Sequence, residues 1–140
     1  MSTTEDRKAV VHRLVAEVFN QGRLEVLDQL YTPGLAERAR VWIAPFRASF
    51  SDLEMEVVEL VPEGDTVVAR FTCSGAHTGV WLGHHPTGRR FHRVPEVYFF
   101  GFTGDRISRA WGLEDTQRRL HQLGLDNLLP AARCTNESTS

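Results

Sequence analysis

The sequence predicts an α+β domain with N-terminal helices packed on one face of a strongly curved antiparallel sheet. Three observations carry that class. Apolar residues recur at helical spacing up to about residue 50, the period changes to two from Leu53 onward, and the later runs are joined by hairpin-type turns.

The elements follow in order. Thr3 with Asp6 three positions later has the form of a capping box, and Val10, Val11, Leu14, Val15, Val18 and Phe19 then give a helix one apolar face. Asn20-Gln-Gly22 stops it. A short second helix spans Leu24 to Tyr31, and Thr32-Pro-Gly34 breaks it. Ala36 to Phe50 reads as a third helix through Ala39, Ile43, Phe46 and Phe50, with Pro45 expected to kink or interrupt it. Met55 to Val61 is a strand, Pro62 to Asp65 a turn, and Thr66 to Ser74 the returning strand, with Val67, Ala69, Phe71 and Cys73 on one face. Gly83 to Arg90 is a loop rich in turn residues. Arg93 to Phe102 is a long aromatic strand, Thr103 to Asp105 a tight turn, and Arg106 to Leu113 the last strand, followed by a short polar helix. Residues 1–130 form one domain, and the tail 131–140 is expected to be disordered.

The chain has 140 residues, 41% of them hydrophobic and 24% charged, which suits one globular domain with a single core. Its net charge of -2 offers no basic footprint for nucleic acid. No apolar run is long enough to span a bilayer, so no membrane partner is expected, and the polar start MSTTEDRKAV fits a cytoplasmic protein. Cys73 in a strand and Cys134 in a polar tail read as two free thiols rather than a disulfide.

A strongly twisted sheet wrapped on helices leaves a concave apolar pocket, the natural place for a small ligand. Alternation puts Trp111, Leu113 and Asp115 on one side of the last strand. If the first two face the core, Asp115 sits at the pocket's edge against an apolar wall, where a carboxyl group can give and take protons. Asp115 also opens Asp-Thr-Gln-Arg and serves equally well as a helix N-cap. His77 continues the face of Phe71 and Cys73 and can look into the same pocket, to bond a substrate carbonyl or share a proton with Asp115; a backbone-bonded strand-end histidine is the simpler alternative. Phe71, Trp42, Phe46, Trp81 and Trp111 are packing residues that can also line a site for a flat aromatic ligand. His92, Glu96 and Tyr98 share one side of the aromatic strand, and that side is either pocket or outer surface. The spacings of His77, His84, His85 and His92 match no zinc template, so no metal site is expected. With no nucleophile elbow, no Cys-His pairing and no phosphate loop, what remains is cofactor-independent proton chemistry or simple binding.

The order and spacing of several segments extend the reading: Phe19-Asn-Gln-Gly22, Phe50-Ser-Asp52-Leu, Val61-Pro-Glu-Gly-Asp65, Gly75-Ala-His77-Thr-Gly79, Pro86-Thr-Gly-Arg89, Trp111-Gly-Leu-Glu-Asp115 and Gln122-Leu-Gly124. From the first helix to Gly124 the chain resembles the SnoaL-like polyketide cyclases, of the nuclear-transport-factor-two-like fold. The resemblance implies a cone-shaped α+β barrel, usually a homodimer, holding a hydrophobic, aromatic polyketide-like substrate in the cone. It also implies that Asp115 acts as acid/base in an intramolecular aldol-type ring closure in secondary metabolism, with His77 bordering the cavity and no cofactor. The same resemblance covers cofactor-free hydroxylases, and a non-catalytic binding or assembly module of this fold is the remaining alternative. Family members commonly carry a short polar strand and loop between the second and third helices, and a histidine before the tryptophan. Here Tyr31-Thr-Pro-Gly-Leu35 runs straight into Ala36, and Ala110 precedes Trp111, which implies a more open cavity or one closed by another chain.

Overall fold

Residues 3–125 are described by a computed structural model, so Cys134 and the tail expected to be disordered lie outside the described residues. The capping box forms: the Thr3 hydroxyl accepts the Asp6 N–H at 3.0 Å, and the Asp6 carboxylate accepts the Thr3 N–H at 3.1 Å. Helix α1 (Thr4–Arg13) continues through a wider π-type segment, Leu14–Asn20, and buries Val11, Leu14, Val15, Val18 and Phe19. It stops where expected, because the Asn20 side chain leaves the helix to bracket Met55. Its amide donates to the Met55 carbonyl at 3.0 Å and its oxygen accepts the Met55 N–H at 2.7 Å.

After a 3₁₀ turn at Leu24–Val26 comes a single-turn helix, α2 (Leu27–Leu30), then α3 (Pro33–Ser49). Two expectations about α3 are corrected. The second helix does end before Thr32-Pro-Gly34, as expected, but α3 begins at Pro33 rather than Ala36, since a first-turn proline forfeits no intrahelical bond. Pro45 does not interrupt it: the carbonyl left without a donor belongs to Val41, whose side chain is 73% exposed, so water can replace the lost bond.

Four antiparallel strands follow in a meander, β1 (Phe50–Glu63), β2 (Thr66–His77), β3 (Arg90–Thr103) and β4 (Arg106–Glu114), in the order β1-β2-β3-β4. The class is α+β, as the two periodicities predict. The sheet does not close on itself; the helices fill its concave side, with Tyr31 bridging to Ile107 of β4. Its register shifts four times, between Ser51 and Glu54, Val57 and Glu59, Cys73 and Gly75, and Gly101 and Phe102. Each bulge adds local twist and bends the strand, which curves the sheet round the core. Val67, Ala69, Phe71 and Cys73 face that core together, as their spacing predicts.

The last shift corrects the reading of β4. Phe102 pairs with Ile107 but Gly101 pairs with Arg109, so Ser108 is an extra residue and the inside–outside parity inverts beyond it. Ile107 is buried, yet Trp111 and Leu113 are 46% and 54% exposed on the outer face, where Trp111 packs edge-on against Phe99 at 5.6 Å. The inward positions are Ala110, Gly112 and Glu114. Gly112 is needed there, because a Cβ would lie 2.3 Å from the Tyr98 ring. A short helix, α4 (Thr116–Gln122), then crosses the end of the sheet. Among the described residues, no helix is long and apolar enough to cross a membrane.

Candidate active site

The concave side holds a cavity of about 460 Å³ between α3 and the ends of β3 and β4. Its walls are aromatic and aliphatic, with Trp42 and Phe46 from α3, Trp81 from the β2–β3 loop, and Phe19 and Met55 opposite. Its polar wall is Glu96, Glu114 and Thr116. Trp42, Phe46 and Trp81 therefore stand where a flat aromatic ligand would touch them.

Glu96 and Glu114 are register partners on β3 and β4. Between them lies the guanidinium of Arg119, reaching back from α4. Its Nη2 donates to Glu96 Oε2 at 3.0 Å and its Nη1 donates to Glu114 Oε1. Arg119 is 0% exposed and Glu96 only 4%. The guanidinium stacks over the rings of Phe91 at 4.6 Å, Phe46 at 5.1 Å and Trp81 at 5.8 Å, so aromatic faces cover what the carboxylates leave. Among the described residues its Nε has no hydrogen-bond partner.

The electrostatics follow from two acids sharing one base out of water. Burial, then the proximity of Glu114, raise the Glu96 carboxyl to about 7, and the attraction of Arg119 only partly opposes this. Burial alone would lower Arg119, but the two glutamates outweigh it and hold the guanidinium charged. Tyr98, two residues along β3 from Glu96, is pushed well above its ordinary value, first by burial and then by the charge of Glu96. The Cys73 thiol is likewise pushed up by burial and by Glu96, which leaves it protonated. The cluster can therefore hold one proton near neutral pH and exchange it with whatever occupies the cavity.

The other residues singled out in the sequence stand elsewhere. Asp115 caps α4: its Oδ1 accepts the Arg118 N–H at 3.0 Å and its Oδ2 pairs with the Arg118 guanidinium at 3.4 Å. Its neighbours Glu114 and Thr116 line the cavity, and the apolar wall of Trp111 and Leu113 faces the other way. Trp111 is thus corrected from a ligand contact to an outer-face residue. His77 is buried against Phe50 and Trp81, with ring centroids at 5.5 and 6.4 Å, one ring removed from the cavity. Its Nδ1 accepts the Thr87 N–H at 3.1 Å, so the proton sits on Nε2, and burial keeps the ring neutral by lowering its pKa. No hydrogen bond links it to Asp115. His92 is exposed, because the bulge opposite Ser74 turns it outward, and its backbone anchors Gln122 of α4. Phe71 lies deeper, packed on Tyr98 and Phe100.

Glu114 and Arg119 were not legible as site residues by simple alternation. Glu114 is hidden by the parity inversion at Ser108. Arg119 had a signal: Thr116, Arg119, Leu120 and Leu123 share one helical face, and an arginine on an apolar face implies a buried acid partner.

A curved α+β domain with an aromatic cavity and a buried acid pair has the form of a small-molecule binding domain. The chain belongs to the SnoaL-like polyketide cyclase family, whose model matches residues 9–123. Among solved structures it is similar to TsrD from Streptomyces laurentii, with 27% identity over 89% of this chain and 99% of that one and a TM-score of 0.80. It is similar also to IdmH, a candidate polyketide cyclase from Streptomyces antibioticus, with 27% identity over 84% and 98% of the two chains and a TM-score of 0.74. AclR, a candidate hydroxylase from Streptomyces galilaeus, shares the fold at 24% identity over 87% and 98%, with a TM-score of 0.77. No curated protein matches the chain.

Proposed function

We propose that this protein is a cofactor-independent acid/base enzyme that closes a ring by aldol-type addition in a hydrophobic, polyketide-like substrate held in the cavity. The observation that carries this reading is the Glu96–Arg119–Glu114 cluster in the wall of an aromatic pocket. The Glu114 carboxylate removes a proton from a carbon flanked by carbonyl groups. The electron pair passes into the enolate, whose carbon forms a bond to a second carbonyl carbon. That carbonyl's oxygen takes the proton from Glu96. Glu114 has then gained one proton and Glu96 has lost one, and exchange across the cluster resets both. Arg119 stays charged throughout, and its positive charge beside the pair stabilises the developing anion. The substrate delocalises its own negative charge, so the step requires no further electron sink.

This reading moves the acid/base role from Asp115 to its neighbour and the register partner of that neighbour. Membership in the family and the similarity to IdmH support the reaction class. The exposed stripe of Val58, Val61, Phe99, Trp111 and Leu113 on the outer sheet face supports a homodimer. The reaction is tested with Glu96→Gln and Glu114→Gln, assayed for ring closure of a β-polyketone substrate. Each folded variant is expected to lose at least about a hundredfold in kcat. Turnover within twofold of the parent in both variants would remove the proposed chemistry.

A further inference from the structure

Among the described residues, Asp52, Leu82 and Arg93 have positive φ without being glycine, at 52°, 49° and 52°. Asp52 lies in the bulge of β1 between Ser51 and Glu54, and Arg93 in the bulge of β3 opposite Ser74, so an extra residue accounts for each. Leu82 has no bulge. It occupies the two-residue turn between Trp81 and His84, whose backbones exchange hydrogen bonds at 3.0 and 2.8 Å. Both central residues, Leu82 and Gly83, have positive φ, the pattern of the type I′ turn that favours Asn-Gly. Gly83 meets that demand freely, whereas a bulky side chain at Leu82 is strained there.

The turn is held in place without this leucine. The Thr78 and Gly79 N–H groups donate to the Ser49 carbonyl, and the Ser49 hydroxyl donates to the Val80 carbonyl at 2.7 Å. Trp81 carries the apolar anchor, buried against Phe50 and His77. Leu82 stays half-buried and lines the aromatic cavity. Val41, Pro45 and Val80 line the same cavity and are exposed, so with Leu82 they form its rim, while the buried Glu96 stands at its inner wall. That rim is aliphatic and carries no charge.

We propose that Leu82 is a specificity-determining residue that grips, with Val41 and Val80, an uncharged apolar arm of the substrate at the cavity mouth. The strain is retained for that contact, because Asn, which the turn favours, would set an amide against the arm. The enolisable end reaches Glu96 and Glu114, and the arm, an alkyl chain or a further ring, lies between α3 and the turn. Covering its carbons with three aliphatic side chains removes apolar surface from water, so affinity rises with the length of the arm. The substrate class is a polyketone with an apolar tail rather than a compact polar ketone.

The inference rests on reading this cavity as the substrate site, but its test measures binding and stability without turnover, so either can fail alone. The probes are 2-methylanthraquinone and 2-pentylanthraquinone, followed by quenching of tryptophan fluorescence. The parent is expected to bind the pentyl compound about tenfold more tightly. Leu82→Asn is expected to reduce that preference to about twofold or less, with the methyl compound bound as before and the urea midpoint equal or higher. Leu82→Gly, which also suits the turn, is expected to lose the preference in the same way. Equal binding of the two compounds by the parent overturns the proposal, as does a preference that survives in Leu82→Asn or Leu82→Gly. A lowered midpoint in Leu82→Asn also overturns it, since the leucine is then kept for the packing of the fold.

Discussion

Glu96 and Glu114 face each other across β3 and β4 and close on one buried guanidinium, that of Arg119. Three ionisable groups thus share a place largely shielded from water, where burial raises the Glu96 carboxyl. Leaving any one of the three charges alone there is costly, which ties the site's chemistry to the stability of the sheet end.

The first consequence concerns pH. The folded protein holds a proton on Glu96 up to about 7, whereas the unfolded chain releases it near 4.5. Between those values the native state binds more protons than the unfolded one, so this group makes stability fall as pH rises. Urea denaturation at steps between pH 4.5 and 8 should show that fall, and Glu96→Gln should flatten it. Turnover should also decline as pH rises through about 7, because Glu96 loses the proton it donates. A stability profile identical in parent and variant would contradict the shared-proton arrangement.

Asp115 separates capping from catalysis. Asn caps nearly as well as Asp, so Asp115→Asn should keep both stability and turnover near the parent level. Asp115→Ala should cost about 0.5–2 kcal/mol in chemical denaturation with kcat preserved in the folded fraction. A folded Asp115→Asn protein that has lost ring closure would return the acid/base role to Asp115.

Gly112 measures how tightly the cavity floor is packed. A methyl group there would meet the Tyr98 ring at 2.3 Å, and Tyr98 lies two residues from Glu96 on the same buried face of β3. Gly112→Ala should destabilise the protein by about 1–3 kcal/mol, read from the denaturation midpoint, and lower turnover by displacing Tyr98. An unchanged midpoint would mean that the ring moves aside freely.

The outer face bears on assembly. Light scattering after size exclusion should find a dimer for the parent chain, and Trp111→Arg with Leu113→Glu should yield a folded monomer. A monomeric parent would remove the outer stripe as a subunit interface.

Local chemistry made much of the fold legible beforehand. The Thr3–Asp6 box, the apolar stripe from Val11 to Phe19, the stop at Asn20 and the meander of β1 to β4 depend on neighbours in the chain. Each could be read from spacing and turn residues. Trp42, Phe46 and Trp81 were placed near a ligand on similar grounds. The break after the second helix is legible in Thr32-Pro-Gly34, but that Pro33 opens α3 and Pro45 leaves it uninterrupted depends on each proline's position and on the exposure of the carbonyl it frees.

The sequence by itself determined the class, the strand order and the presence of an aromatic pocket, because periodicity of 3.6 and 2 sets which residues can share a face. Tertiary structure alone decided which acid enters that pocket. One extra residue at Ser108 inverts β4, sends Trp111 and Leu113 outward, and exchanges Asp115 for Glu114 at the cavity wall. Glu96, Glu114 and Arg119 then acquire their shared proton from desolvation and mutual charge, neither of which exists until β3, β4 and α4 are brought together.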